Sequence, residues 1–531
     1  MTGSAPIPRW SRRDFLTRVG ALGGSAAVYR ATLALGLLPP LAQASRPDLT
    51  PVNGSRTVAI LGAGIAGLAA AYELARAGYK CVVLEGSHRA GGRNLTLRHG
   101  DKVDELGHPQ VCPFDDEPHL YLNAGPARIP SSHTMLLEYC RELGVELAPF
   151  VNDNRNAWIQ DDAMLGGRPV RNREYVADTR GFIAELLSKG VASDELDSGL
   201  DEADAERLIE LLDAYGDLGA DHLYKGSLRA GAMNAGMVAP AKLKGVYDFS
   251  ELLKSRGAYY AINFAEGWDQ SGTMLEPVGG MDRIVAGFMG KVGDVVELNA
   301  RVESVMLRRG GVDVTYRKQG EGRRLSADFC LNSIPMQLMP GIEHNLPDDY
   351  AGAFAAVPRG KLFKLGLQAR ERFWEREQIY GGISWTSQEI TQIWYPAHGI
   401  HRRKGVLLGA YSFADALGER LANMAPAERI ELAVTQGEKV HPGYRQYIEN
   451  GVSVAWHRMN FMLGCAANWT QPLRAKWFER LQAPVGHHYM VGDQVSFHPG
   501  WQEGAIHSAM HALEDIDRRV RAQAHTSGAI A

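Results

Sequence analysis

Thr57 to Leu61 is a short apolar run with β-branched residues, bounded by Gly62, and it predicts a strand buried on both faces. An Ala/Leu-rich stretch follows and predicts a helix that ends near Ala77-Gly78. Lys80 to Leu84 repeats the buried-strand pattern and finishes on Glu85. Strand, helix and strand in this order predict a parallel β-α-β unit.

Further along, Ser131 and Ser132 are expected to cap a helix through Leu143, with Met135, Leu136, Tyr139 and Leu143 on its apolar face. Glu195 to Leu218 is acidic with helical period, and Leu208, Leu211, Leu212 and Tyr215 fall on one face. Met281 to Met289 begins another helix. Val295 to Leu298, Val302 to Arg308 and Val312 to Arg317 alternate as antiparallel strands, with Gly310-Gly311 as the hairpin turn, and Ala327 to Ile334 adds a strand. Lys364 to Gln368, Gln392 to Tyr395 and Gly405 to Tyr411 read as strands of a second region, and Leu417 to Val440 as helical. The chain closes with a strand at Tyr489, a Gly-Asp at 492–493, a turn from Gly500 to Ala505 and a helix to about Arg521.

The first unit carries chemistry. Gly62, Gly64 and Gly67 form G-x-G-x-x-G between strand and helix: Gly62 for the tight turn, Gly64 for backbone approach to a pyrophosphate, Gly67 for close packing of helix on sheet. The helix N-terminus presents free N–H groups to phosphates. Glu85, 18 residues beyond Gly67, stands where a carboxylate accepts from ribose hydroxyls. The pattern predicts a dinucleotide site.

Composition narrows the class. The chain has 531 residues, 45% of them hydrophobic, enough for two or three domains with substantial cores. A net charge of −4 makes nucleic acid an unexpected partner. Five widely spaced cysteines, Cys81, Cys112, Cys140, Cys330 and Cys465, show neither a disulfide framework nor metal spacing. Ser11-Arg12-Arg13-Asp14-Phe15-Leu16, a moderately apolar stretch from Val19 to Leu41 and Ala42-Gln43-Ala44 look like a twin-arginine export signal with its cleavage site. Arg30 within the stretch argues against a membrane anchor. The expected mature protein is soluble and periplasmic or secreted.

Gly91-Gly92-Arg93 after Glu85, Gly125-Pro126-Ala127-Arg128-Ile129-Pro130, Ile393-Trp394-Tyr395-Pro396 and Gly500-Trp501-Gln502-Glu503-Gly504-Ala505 together resemble the flavin monoamine oxidase superfamily. Within it the chain looks most like bacterial L-amino acid oxidases with a twin-arginine signal. The resemblance covers nearly all of the expected mature chain. It implies an α/β fold: a two-dinucleotide-binding, Rossmann-like FAD domain interleaved with a mixed-sheet substrate domain and a helical insertion. The expected divisions are a signal at 1–44, FAD domain at 55–125, 262–340 and 476–525, substrate domain at 126–150 and 341–475, and helical domain at 151–261.

The resemblance also implies site residues. FAD, held without a covalent bond, would meet Gly62, Gly64, Ile65, Ala66, Gly67, Glu85, Gly86, Arg93, the loop of Gly125, Pro126, Ala127 and Arg128, Val302, Asp493, and the turn of Gly500, Trp501, Gln502, Glu503, Gly504 and Ala505. Arg128 and Tyr395 match the pair that binds a substrate carboxylate, and planar guanidinium against carboxylate suits Arg there. Gly500 and Trp501 match residues that close the amine side of the pocket. Lys364 matches the family lysine that holds a water near the flavin, with Lys361 as the competing candidate. Cys465, nine residues after Trp456 and directly after Gly464, stands at the spacing of a monoamine oxidase cysteine that bonds the flavin, but Ala466 replaces the aromatic that follows it there. No metal is expected.

The implied reaction is oxidative deamination of an L-amino acid with O2 and water to a 2-oxo acid, ammonia and H2O2, by a homodimer exported through the twin-arginine machinery. Rivals are a monoamine or polyamine oxidase without the carboxylate clamp, an amino acid 2-monooxygenase that keeps it, and a flavin-stabilised binding subunit without turnover.

Overall fold

The computed structural model describes residues 46–52, 56–193, 200–234 and 238–528, so the twin-arginine signal lies outside the described residues. Strands Thr57–Leu61 and Lys80–Leu84 pair in parallel, joined by helix Ile65–Arg76. They belong to a five-stranded parallel sheet in the order Val296–Glu297, Lys80–Leu84, Thr57–Leu61, Phe329–Asn332, His488–Met490. Segments far apart in sequence therefore meet in one sheet. Its carboxyl edge is where open α/β sheets bind ligands. On one face it packs against helices Ile65–Arg76, Arg283–Val292 and Gln502–Gly528 around Leu68, Phe288, Ile506 and Leu513.

Close approach explains the glycines of the entry turn. Gly62 has φ of +98°, and a Cβ on Gly67 would come within 2.1 Å of the Gly62 carbonyl. Only glycine lets this helix lie against that turn.

The second large sheet has seven strands in the order Val170–Arg171, Trp158–Gln160, Ile383–Thr386, Gln392–Trp394, Gly405–Ser412, Phe363–Ala369, Ile448–Ala455. Its two faces line two separate cores. Phe363, Leu365, Ile393 and Tyr395 point into one, and Leu362, Trp394, Val406 and Leu408 into the other. A β-bulge interrupts the pairing between Phe363–Ala369 and Gly405–Ser412 at Leu365/Gly366. There Ala410 faces Leu365 and Leu408 faces Gly366, leaving Gly409 as the extra residue. The bulge shifts the alternation by one, so Tyr411 lies on the same face as Leu408.

Several expected elements differ in detail. Helix Thr134–Glu142 starts after His133 with no side-chain cap from its own N-terminus, so Ser131 and Ser132 do not cap it. Glu503 does, accepting from the backbone N–H of Met135 and Leu136 at 3.1 and 2.9 Å. In helix Glu202–Gly216 only Leu212 of the expected apolar face is buried, and Leu211 and Tyr215 are exposed. Val296–Glu297 joins the parallel sheet rather than an antiparallel meander. The hairpin between Ala300–Arg308 and Gly311–Lys318 turns at Arg309-Gly310, with Arg308 opposite Gly311. The stretch expected as one helix from Leu417 is two, Asp415–Ala422 and Pro426–Gly437, because Pro426 opens the second. Among the described residues no helix is long and apolar enough to cross a membrane.

Candidate active site

A cavity of about 490 Å³ runs from the carboxyl edge of the parallel sheet to the second sheet. The β-α-β unit supplies Gly62, Gly64, Ile65 and Ala66 at one end. No side chain caps helix Ile65–Arg76, and the space where a Gly64 Cβ would project is empty. The first-turn N–H groups are thus open to an anion. Glu85 is buried beside them and accepts from the N–H groups of Ala63 and Ser87, both at 2.8 Å. Burial raises its carboxyl above the ordinary value despite those bonds.

Ionic groups sit mid-cavity. Arg93 makes a bidentate pair with Asp493, whose other bond comes from the Gly500 N–H at 2.7 Å. Burial raises the Asp493 carboxyl, but Arg93, Arg359 and the Gly500 N–H together outweigh it and hold the group below its usual range. Arg359, not anticipated from the sequence, also lines the cavity and donates to the Cys465 carbonyl, as does Arg93. Burial, with Arg93 close by, lowers the Arg359 guanidinium to about 10, and its Nε has no partner. Cationic donors, a free helix N-terminus and a buried acid in one cleft suit a dinucleotide with an anionic pyrophosphate.

Most of the expected cofactor contacts line this cavity: Gly86, Gly125, Pro126, Val302, Gly500, Trp501, Gln502 and Ala505 beside those already named. Gly67, Ala127, Arg128, Glu503 and Gly504 do not. Gly67 serves packing. Glu503 turns away to cap helix Thr134–Glu142 and to receive the His507 ring at 3.0 Å. A Cβ on Gly504 would meet Ser496 Oγ at 2.4 Å, so that glycine is small for contact with the protein.

Arg128 lies beyond the Gly125 turn, in the gap between Phe264 and Trp394. Its guanidinium carbon is 5.2 Å from the Phe264 ring centre and 4.8 Å from that of Trp394. Its Nε donates to Gln270 Oε1 at 3.1 Å. Among the described residues no carboxylate forms an ion pair with it; the Asp269 carboxylate acts on it only from a distance. Burial lowers the guanidinium to about 10, so it is still a cation at neutral pH.

Lys364 is buried on the same face of the seven-stranded sheet as Trp394. Its Nζ donates to the carbonyls of Gly125 at 2.6 Å and Asn123 at 3.2 Å, and lies 4.5 Å from the Tyr411 ring centre. Burial first, and Arg128 second, lower its amine to about 7. Lys361, the competing candidate, instead makes a surface pair with Glu419 at 2.8 Å.

Tyr395 does not reach Arg128. Its hydroxyl bonds Ser384 and His441, each at 2.6 Å, inside the core on the opposite face. Strand alternation is the reason: Trp394 and Tyr395 are neighbours, so only Trp394 can point toward Arg128. The phenol that lines the cavity is Tyr411, brought there by the Gly409 bulge. No period-two reading places Tyr411 on this face. At the far side Trp501 meets His133 edge-on at 4.9 Å, and burial lowers the His133 imidazole to about 4, so it is neutral.

The flavin containing amine oxidoreductase family matches residues 65–516. L-amino-acid oxidase from Naja atra is 26% identical over 493 residues, spanning 89% of this chain and 90% of its own. L-amino acid oxidase from Bothrops pictus is 27% identical over 504 residues, spanning 89% and 92%. Among solved structures, wild-type putrescine oxidase bound to putrescine superposes with a TM-score of 0.59 at 19% identity, covering 87% of this chain and 98% of its own. Cyclohexylamine oxidase from Brevibacterium oxydans IH-35A gives 0.57 at 19% identity, covering 90% and 100%.

Proposed function

This chain is a flavin containing amine oxidoreductase, and from that premise we propose that it is an FAD-dependent L-amino acid oxidase. One observation separates this reading from a simple amine oxidase. Arg128 is a cation flanked by two aromatic rings, and no described carboxylate forms an ion pair with it. A buried charge without a counterion is costly unless a ligand supplies one. An amine substrate has no carboxylate to offer; an amino acid does. The relatives named L-amino-acid oxidase, matched over most of the chain, support the same reading.

The residues of the first cavity fit FAD. Gly62, Gly64, Ile65 and Ala66 would receive the pyrophosphate, with Arg93 and Arg359 as cations; Glu85 would hold the adenine-side ribose, and Asp493 the ribityl chain. When bound, the flavin supplies a two-electron acceptor that O2 reoxidises with formation of H2O2. Arg128 and Tyr411 would fix the substrate carboxylate and so aim the Cα–H into the cavity, and orientation of this kind lowers the barrier by restricting the bound substrate. Trp394 holds Arg128 in place. Its own indole N–H is spent on Gln392 at 2.8 Å, so it gives the carboxylate no bond. Lys364, neutral above about pH 7, braces the Gly125 carbonyl and can hold a proton or a water beside the reacting groups.

Export by the twin-arginine route, homodimeric assembly and non-covalent FAD complete the proposal. Cys465 lines the cavity, and burial raises its thiol, which disfavours the reactive thiolate. The deciding experiment is a steady-state assay of the purified protein on all proteinogenic L-amino acids and on mono-, di- and polyamines, with H2O2, ammonia and amide measured. Amino acids turned over with equal H2O2 and ammonia are expected. Turnover of amines alone would mean a monoamine or polyamine oxidase, and amide formation a monooxygenase.

A further inference from the structure

A second cavity, of about 290 Å³, lies in the helical region and shares no lining residue with the first. Arg155, Arg173, Arg180 and Arg229 all contribute to its wall. Four guanidiniums around one small space repel one another unless something answers them. Within the protein two carboxylates do so in part: Asp153 lies 3.2 Å from Arg155, and Glu266 lies 3.6 Å from Arg180.

The four arginines fall into two pairs. Arg229 is pinned by the carbonyls of Tyr215 and Ala214 at 2.9 and 2.8 Å, and Arg155 by Asn172 Oδ1 at 2.9 Å. Those side chains shape the wall. Arg173 and Arg180 are different. Neither guanidinium donates a hydrogen bond to a described residue, and the Nε of each is buried without a partner. Unfilled buried donors of this kind are uncommon in proteins. Both stand on helix Asn172–Ala192, seven residues and so about two turns apart. That spacing places them on one face, with Val176 and Ala177 between them as short apolar floor. A Cβ on Gly231 would sit 3.1 Å from the Arg173 guanidinium, so the glycine leaves that side chain its space.

We propose that this cavity is a binding site for a small multivalent oxyanion, a phosphate- or carboxylate-bearing molecule, gripped by Arg173 and Arg180. The planar forks suit bidentate contact to either oxyanion, and the volume admits a molecule the size of pyrophosphate or a tricarboxylate but no polymer. One residue links the two regions: Asn152 donates to the Gln270 Oε1 that also accepts from Arg128, and it lies three residues before Arg155 of the second cavity. Arg180 pairs with Glu266, two residues from the Phe264 ring that covers Arg128. An anion on Arg180 competes with Glu266, so binding is coupled to the segment over the clamp.

The test uses FAD-loaded protein and calorimetric titration with inorganic pyrophosphate and, separately, citrate, at constant ionic strength. Saturable binding of at least one with a stoichiometry near one is expected. Arg173→Gln combined with Arg180→Gln should weaken it at least tenfold while leaving flavin content and the melting curve without anion unchanged. Pyrophosphate alone binding assigns phosphate chemistry; citrate alone assigns carboxylate chemistry. No saturable heat with either anion, or equal affinity in wild type and double variant, overturns the proposal. If the double variant loses flavin or melts early, Arg173→Lys and Arg180→Lys singly take its place; these keep the charge and remove the fork, and unchanged affinity in both also overturns it. None of these outcomes depends on which amine or amino acid the first cavity oxidises.

Discussion

Replacing Arg128 by Ala removes the cation that a substrate carboxylate would meet and leaves the FAD contacts of the first cavity in place. Loss of a charge-assisted, bidentate contact should cost roughly 2–4 kcal/mol in kcat/KM, with KM taking most of it. Steady-state kinetics and flavin absorbance on the same preparation check this; flavin content should be unchanged. Two tyrosines then separate cleanly. Tyr411→Phe should raise KM for the amino acid, whereas Tyr395→Phe should leave KM within about twofold and lower stability by roughly 1 kcal/mol, because its hydroxyl serves Ser384 and His441. Lys364 gives a pH signature. Its amine titrates near 7 when folded and at its ordinary 10.5 when unfolded, so between those values the unfolded chain holds a proton that the folded one lacks. Folding is therefore penalised as pH falls from 10.5, and the penalty is complete below 7. Lys364→Met, lacking that group, should gain stability relative to wild type as pH falls through this window and hold a constant difference below it. Parallel denaturant titrations across the pH range measure that difference.

At the scale of elements, the entry helix depends on one missing methyl. In Gly67→Ala the new Cβ would sit 2.1 Å from the Gly62 carbonyl, so helix Ile65–Arg76 must move off the turn. Overpacking of this kind costs on the order of 1–3 kcal/mol and shifts the N–H groups meant for the phosphates. Purified Gly67→Ala should carry little flavin by absorbance even where circular dichroism shows it folded. Most of this unit is visible in the sequence because it is local: strand, turn and helix are contiguous, and Gly67 answers a contact with the Gly62 carbonyl in the same turn. Glu503 shows the opposite case. The G-W-Q-E-G-A turn suggests a cofactor contact, yet Glu503 caps a helix more than 350 residues earlier, and nothing local reports that partner.

At the scale of the molecule, Glu105 and Arg429 form an ion pair with no exposed side-chain surface, joining the segment after the entry unit to helix Pro426–Gly437. Arg429 also bonds Ser453 and the carbonyls of Leu421, Met424 and Ala422. Removing one partner leaves a buried, unanswered charge, so Glu105→Ala should destabilise by about 3–5 kcal/mol. Glu105→Leu with Arg429→Met should recover part of that loss, read as the denaturation midpoint of each variant. Export is tested on the same scale. Arg12→Lys with Arg13→Lys should hold the protein in the cytoplasm on fractionation if the pair is the signal that is read.

The sequence by itself determined the β-α-β unit with its glycine turn, because strand, turn and helix are contiguous and the pattern is local. Tertiary structure alone decided which aromatic groups stand beside Arg128. Trp394 and Tyr395 are adjacent in a strand, and their opposite directions follow from a register that is set by pairing with Ile383–Thr386 and Gly405–Ser412. Tyr411 enters only through a bulge of one residue, which resets every later side chain to the other face. The lack of an ion-paired carboxylate at Arg128 among the described residues, and the convergence of four arginines on a second cavity, are likewise properties of packing: charge can be counted along a chain, but its neutralisation depends on which groups the fold brings within a few ångströms.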